Sequence, residues 1–481
     1  MQNAHTRSPR HAKQLQDRHL HALCTHILPH VPFYSELFRG YGIDPARITS
    51  LERWRSEGLP LIKKAEYLKR PKDFIVTPDK AKLFRTHANY LFCARKFAEL
   101  AALFTSRDKR KILKDHYGPK MLIFSGGTET DNPAPVILTA NQKFNSLHDT
   151  LLRTAELALP KLDLPSKTGI NLFPYAPHLG WHAVHHGLDL IADLNLCTAA
   201  GGAMRTERLA QLASKTQPTI LCGMHDYFRN RFLPHLIQKK IKLPEKVLII
   251  TGAQKMLDSE RAQVEALARK AGARHVTVLD LFAASELKTA LLPECTPHSG
   301  YHHVSPLSAI IQPVHFEPGK TNFIEEYTFE DSGALASWTL EPGGSELCGY
   351  LLGDMTERTT HGRCTHCGFT GQTFFHISRA RDIETNLALT GIVEEKLKGA
   401  KINLQAYRER ALSVPLVREV QIVLHRAKRY LEIKYVSDKP ALARAKLEKL
   451  FTASEIRPKL TATTLDKLQG GKIKFEGIVI L

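Results

Sequence analysis

The stretch Lys120–Pro135 reads KMLIFSGGTETDNPAP. Met121 to Phe124 make a short apolar run of strand type, which stops at Ser125-Gly126-Gly127-Thr128-Glu129-Thr130-Asp131. A strand running into hydroxyls and glycines, with Pro133 and Pro135 behind, is the build of a nucleotide loop, because exposed N–H groups and hydroxyls can wrap phosphate oxygens. Such loops usually carry a lysine after the glycines, and here Glu129 and Asp131 stand instead. A Gly-Gly turn after a strand is by itself more often only a turn. The rest of the chain has to decide.

Downstream, short apolar runs (GINLF, TILCG, KVLIIT, HVTVLD) alternate with helical patterns such as TERLAQLASKT and SERAQVEALARKAGA. Together with MLIFS, this alternation predicts βαβ units and a largely parallel sheet. Residues 1–75 read as helical and loop-rich. Residues 300–380 change to Gly, Pro, Cys and His among short strands, and a smaller module follows residue 383. In it VREVQIVLHRAKRYLEIKYVS reads as a strand pair, PALARAKLEKLF as a helix and GKIKFEGIVIL as a last strand.

The chain has 481 residues, 43% of them apolar, enough for roughly two to four domains with real cores. No run approaches the roughly 18 apolar residues that span a bilayer, and the basic N-terminus lacks a secretory pattern. Eight scattered cysteines fit a reducing cytoplasm better than a disulfide framework. Lys and Arg exceed Asp and Glu by 19, and the excess runs along the whole chain. A solvated basic surface or a polyanionic substrate such as ATP or coenzyme A explains this charge. No helix-turn-helix, zinc-finger or RNA-binding motif favours nucleic acid.

Three further stretches can carry chemistry. In VLDLFAASEL a strand ends near Phe282 and is followed by Ser285 and Glu286, a carboxylate placed to hold Mg²⁺ against phosphates. In CGYLLGDMTER, Asp354 can accept from a ribose diol, although a turn aspartate is the plainer reading. In KLQGGKIKF, Lys472 follows a diglycine near the chain end, where a mobile module could carry a cation into a site.

In this order the stretches resemble the adenylate-forming (acyl/aryl-CoA synthetase) superfamily, and within it the phenylacetate–CoA ligase and coenzyme F390 synthetase branch. HVPFYSELFRGYGIDPARITSLERWRSEGLPLIKK is similar to that branch's N-terminal signature. FSGGTETDNPAP takes the place of the phosphate loop, DLFAASE of the adenine and magnesium motif, YLLGD of the ribose motif and SRARD of the hinge. The resemblance implies an α/β fold: a large N-terminal adenylation domain, 1–381, with βαβ sheets flanked by helices, and a small mobile C-terminal α+β domain, 382–481.

It also implies roles. Ser125, Gly126, Gly127, Thr128 and Thr130 would cradle the ATP phosphates, Phe282 would stack on adenine with Ser285 beside it, and Asp354 would bind ribose. Glu286 would hold Mg²⁺, Arg379 would sit at the hinge, and Lys472 would bridge carboxylate and AMP. Phe173, Tyr175, His178 and Trp181 would line the pocket of an acid, possibly aromatic in kind. The loop departs from the family pattern, so phosphate neutralisation must come from elsewhere, with Lys120, Lys255 and Arg205 as candidates.

Cys364 and Cys367 form a C-x-x-C knuckle ending in glycine, and Cys295 and His302 can complete a Cys₃His set for tetrahedral zinc within a region spanning 290–370. His298, His303, Cys348 and His366 are substitutes for any one ligand. Members of the resembled branch carry a structural zinc on such elements. The expected activity is ATP-dependent activation of a carboxylic acid, with the acyl group passed to a thiol, first of all coenzyme A. The alternatives are transfer to an amine or carrier protein, and a non-catalytic relative acting as a basic binding protein. Neither a membrane nor nucleic acid is an expected partner, and a homodimer is one option.

Overall fold

The computed structural model describes residues 8–77, 82–124, 134–158, 163–164, 166–175, 178–317, 323–379, 394–397, 400–425, 430–454, 456–469 and 477–481. They form two compact units interleaved in sequence: Met1–Asp163, Ala176–Ile191 and Leu281–Arg379 in the first, Leu164–Tyr175, Ala192–Asp280 and Ala380–Leu481 in the second. Among the described residues, no helix is long and apolar enough to cross a membrane.

The second unit holds the sheet that the alternation predicts. Its strands lie side by side in the order Leu194–Leu196, Thr168–Asn171, Ile220–Gly223, Lys246–Gly252 and His275–Phe282. The first four run parallel. Ile220–Gly223 is buried throughout, as expected for a parallel strand covered on both faces. Leu209, Ala210 and Ala213 of the helix Thr206–Thr216, and Val264 and Ala268 of Asp258–Lys270, pack on Ile170, Leu221, Ile249 and Val278. Each fully buried Leu, Ile or Val side chain contributes about 1.5–3 kcal/mol.

MLIFS departs from expectation. The strand Pro119–Phe124 pairs antiparallel with Pro135–Thr139 in a separate hairpin of the first unit, not in the parallel sheet. The partner strand opens on Pro135, two residues after Pro133, so its start is hidden in a proline-rich stretch, and the loop joining the two strands falls outside the described residues.

The first unit also carries a larger sheet with strands in the order Phe323–Ile324, Leu61–Ile62, Cys348–Thr356, Gly333–Thr339, Ala309–Phe316 and Tyr327–Phe329. Ser378–Arg379 adds to Cys348–Thr356, setting Arg379 opposite Asp354. A third, antiparallel sheet runs Tyr301–His302, Thr370–Phe375, Arg358–Arg363.

Within the second unit, the strands Glu419–His425 and Tyr430–Val436 pair antiparallel, flanked by parallel Ile478–Ile480 and Lys459–Ala462. Helices Leu404–Leu412 and Pro440–Phe451 cover them, and Leu257 joins the same core.

Candidate functional site

The two rims of the Gly-rich loop are described although the loop is not. Phe124 and Pro135 face each other across the hairpin. Ser285 Oγ donates to Phe124 O at 3.3 Å, and Tyr67 Oη donates to Pro135 O. Tyr67 also lies 3.2 Å from Ser345 Oγ, which accepts from Ile137 N at 3.1 Å. Both ends of the loop are therefore fixed by the first unit's own side chains.

Glu286 lies in the single turn Ser285–Leu287 that follows the strand His275–Phe282, and it is buried. Lys64 Nζ is 3.8 Å from its Oε1. Lys64 and Tyr67 stand three residues apart on the helix Lys64–Lys69, the spacing that puts two side chains on one face. Burial, with the Glu286 charge adding to it, pushes the Tyr67 hydroxyl up to about 12, so it stays a hydrogen-bond donor at neutral pH. Two residues on, Lys288 adopts φ +55°, a conformation a lysine rarely takes. Its buried ammonium donates to Gly343 O at 3.0 Å, which anchors the turn that presents Glu286.

Sequence reasoning named Lys120, Lys255 and Arg205 as loop cations and passed over Lys64. Lys120 Nζ rests 5.6 Å over the Phe144 ring. Lys255 and Arg205 belong to the second unit. The available signal for Lys64 was the Lys-Lys pair closing the stretch LPLIKK.

Asp354 is buried on the strand Cys348–Thr356. Tyr350, four residues before it, meets the Tyr67 ring at 6.1 Å. At ~3.3 Å per residue Asp354 is about 13 Å further along that strand. Gly353 before it holds φ +78° with open space where a Cβ would be. The Phe282 ring is half-buried and meets Tyr301 edge-on at 6.4 Å.

The four expected pocket residues divide between the units. Phe173 is buried and Tyr175 is exposed in the second. His178 and Trp181 are half-buried in the first, where Trp181 stacks on His185 at 5.0 Å. Ser125, Gly126, Gly127, Thr128, Thr130 and Lys472, and the hinge pair Arg381-Asp382, lie outside the described residues; of Arg379 only the backbone is described.

A second constellation gathers Cys295, His302, Cys364 and Cys367, whose donor atoms all lie within 4.8 Å of one another. Cys364 and Cys367 sit in the turn between Arg358–Arg363 and Thr370–Phe375, closed by Cys364 N to Phe369 O at 2.7 Å and by Gly368 at φ +76°. Phe369 N donates to Cys367 Sγ at 3.4 Å. Cys295 Sγ is 3.8 Å from Cys364 Sγ and 3.3 Å from His302 Nε2. The opposite ring nitrogen, His302 Nδ1, is 3.1 Å from Thr373 Oγ1, which fixes the ring. The Cys367 thiol, helped by His302 and Ser299 and opposed by burial, holds the Cys295 thiol down to about 3. Of the substitutes, His303 bonds Ala309 O at 2.9 Å and the Cys348 thiol donates to Thr339 O at 3.5 Å.

A third constellation lies in the second unit, unsuspected from sequence. His225, Asp226 and Glu260 come together at a metal site's spacing, but two guanidiniums take the cationic place. Arg229 Nη2 reaches Asp226 at 3.0 Å, Glu260 at 3.2 Å, and also Glu419. Arg408 Nη2 reaches Glu260 at 2.9 Å and Glu419 at 3.0 Å. Three buried carboxylates face two guanidiniums, which leaves room for one extra proton. Burial opposes a charge on His225, yet Glu260 and Asp226 outweigh it and raise its pKa. Burial pushes Glu419 up to about 7, against the pull of Arg229.

No protein-family model and no curated protein sequence matches the chain. Solved structures do. The chain is similar to 2-hydroxyisobutyryl-CoA ligase in its postadenylation state with R3-HIB-AMP, at 13% identity and TM-score 0.67, covering 99% of this chain and 91% of that one. The same ligase with 2-HIB-AMP matches at 14% identity and TM-score 0.67 over the same shares. With 2-HIB-AMP and CoA in the thioesterification state it matches at 14% and 0.55, again over 99% and 91%.

Proposed function

We propose that the chain, whose fold is similar to that of 2-hydroxyisobutyryl-CoA ligase, is an adenylate-forming enzyme that activates a carboxylic acid as an acyl-adenylate and passes the acyl group to a thiol, coenzyme A first. The observation that carries this reading is the fixing of both loop rims by Ser285 and Tyr67, with Glu286 and Lys64 beside them. The ligase of similar fold holds an acyl-AMP and CoA in its solved structures.

In this proposal a carboxylate oxygen attacks the ATP α-phosphorus and pyrophosphate leaves. The thiol then attacks the acyl carbonyl and AMP leaves. The protein aligns the attack and stabilises charge on the phosphates. Ser125–Thr130 cradles the β- and γ-phosphates through N–H groups and hydroxyls. Lys64 supplies the positive charge the loop lacks, and Glu286 is the residue that would hold Mg²⁺. Phe282 stacks on adenine, Asp354 accepts from the ribose hydroxyls, and Lys472, on the 382–481 module, bridges carboxylate and AMP. Arg379 sits at the hinge before that module. Phe173, Tyr175, His178 and Trp181 suit an aromatic acid.

Cys295, His302, Cys364 and Cys367 fit a structural zinc. A tetrahedron with Zn–S near 2.3 Å has S···S edges of about 3.8 Å, the spacing of Cys295 and Cys364. Thr373 then holds His302 from behind, as metal-bound imidazoles require. Such a closed site orders the third sheet and takes no part in bond-making.

The test is pyrophosphate exchange into ATP across a panel of carboxylic acids. We expect exchange with at least one acid, lost in Lys472→Ala and Glu286→Gln. Exchange untouched by both variants removes the assigned roles, and none with any acid leaves the fold as a non-catalytic basic protein. Supplying coenzyme A, an amine or a carrier protein to the acyl-AMP then identifies the acceptor.

A further inference from the structure

The helix Phe97–Thr105, FAELAALFT, is almost wholly apolar, yet only Leu103 is buried. Ala98, Ala101 and Ala102 are exposed, and Phe97 and Phe104 are each 55% exposed. Phe92, 66% exposed, meets Phe97 edge-on at 6.2 Å, while Phe84 meets Phe104 at 5.3 Å. An aromatic pair thus marks each end of a small apolar face. Contiguous exposed apolar surface of this kind marks an interaction site.

Basic residues bracket the face. Arg95 and Lys96 precede the helix, and Arg107, Lys109, Arg110 and Lys111 follow it, nearly all exposed. The acidic residues nearby are already engaged: Glu99 pairs with Lys96 at 3.1 Å, and the Asp108 carboxylate accepts from Lys111 N at 2.9 Å. Lys109 Nζ lies 5.4 Å over the Phe84 ring, its stem along the apolar surface and its charge at the rim.

We propose that this face docks on an anionic lipid surface. The phenylalanines enter the headgroup–acyl boundary, and the flanking cations meet lipid phosphates and carboxylates. A second copy fits worse, since it would bring two predominantly cationic rims together. Nucleic acid would leave the alanine face against phosphates. A nine-residue helix is far too short to span a bilayer, so a surface-docking face of this length leaves no membrane signal in the hydropathy of the sequence.

The test is co-sedimentation of the full chain with vesicles of pure phosphatidylcholine and with vesicles containing about one-third phosphatidylserine. Expected is binding to the anionic vesicles at least about tenfold tighter than to the neutral ones, weakening with salt. Phe97→Asp/Phe104→Asp, and separately Lys109→Glu/Arg110→Glu/Lys111→Glu, should each weaken it about tenfold with the melting midpoint unchanged. The proposal is overturned by no preference for anionic vesicles, by binding that survives both variants, or by a dimer that Phe97→Asp/Phe104→Asp dissolves. Displacement from the vesicles by a short oligonucleotide at equal charge would transfer the face to nucleic acid and overturn it as well.

Discussion

Lys64 Nζ stands 3.8 Å from Glu286 Oε1, joining the N-terminal helical segment to the turn after the strand His275–Phe282. Tyr67, on the same helix, holds the far rim of the Gly-rich loop. One helical turn thus serves the carboxylate and the loop together, in a chain whose loop carries acids where a cation would be expected.

Lys64→Ala should lower pyrophosphate exchange about a hundredfold, the usual effect of removing a group that stabilises developing charge. Lys64→Arg should recover part of it. Lys64→Ala also takes a counter-charge from the buried Glu286, so the melting midpoint should fall with it, and Lys64→Arg, which keeps the charge, should hold the midpoint. An unchanged exchange rate in Lys64→Ala would send the search for the phosphate cation back to other residues.

The ionic cluster of the second unit makes stability depend on pH in a stated direction. Glu419 is raised to about 7 in the fold from an ordinary carboxylate value, and His225 is raised above 6.5. Both groups bind protons more tightly folded than unfolded. Their contribution is therefore fully present on the acid side and is lost as pH rises, from about 4.5 to 7 for Glu419 and from 6.5 upward for His225. The slope reaches about 1.4 kcal/mol per pH unit for each proton held. The cluster's share is read by difference, because buried His19, His87 and His303, held low by burial, tilt the total the other way. The denaturant-midpoint gap between the parent chain and Glu419→Gln should shrink as pH rises from 5 to 7, and the gap between the parent and His225→Gln should shrink above pH 6.5. Arg408→Met, which strands buried carboxylates, should cost about 3–5 kcal/mol.

Some of this was legible in the sequence and some was not, for physical reasons. The three parallel runs GINLF, TILCG and KVLIIT were readable because a strand covered on both faces must be largely apolar. Leu194–Leu196 was not, since a three-residue edge strand with a polar Asn195 at its centre shows no run. The Cys364–Cys367 knuckle is local and shows as spacing. The Lys64–Glu286 and Arg408–Glu260 contacts leave no local mark, because each residue alone is an ordinary charged side chain and only the fold brings the pairs together.

Metal content tests the Cys₃His cluster. Purified protein should carry one zinc per chain by elemental analysis. Cys367→Ser and His302→Ala should lose it and melt at lower temperature, since metal binding free energy is folding free energy in such sites. Thr373→Val removes the partner of His302 Nδ1 and should weaken zinc about 10–100-fold without abolishing it. A protein free of zinc, or Cys367→Ser melting like the parent, would exclude the site.

Two glycines separate backbone strain from collision. Gly343 holds φ +103°, and a Cβ there would lie 1.9 Å from His116 O. Its N–H donates to Glu346 and its carbonyl accepts from Lys288, so the backbone cannot move away without breaking both. Gly353 holds φ +78° with nothing within 4 Å of the same position. Alanine at 353 should therefore cost only the backbone term, about 1–3 kcal/mol. Alanine at 343 should cost that and an overpacking term of similar size, about 2–6 kcal/mol in all. Denaturant midpoints of the two variants measure the difference. Equal losses would mean that the Gly343 turn yields to the added methyl, and that the Lys288 anchor beneath Glu286 is softer than its geometry indicates.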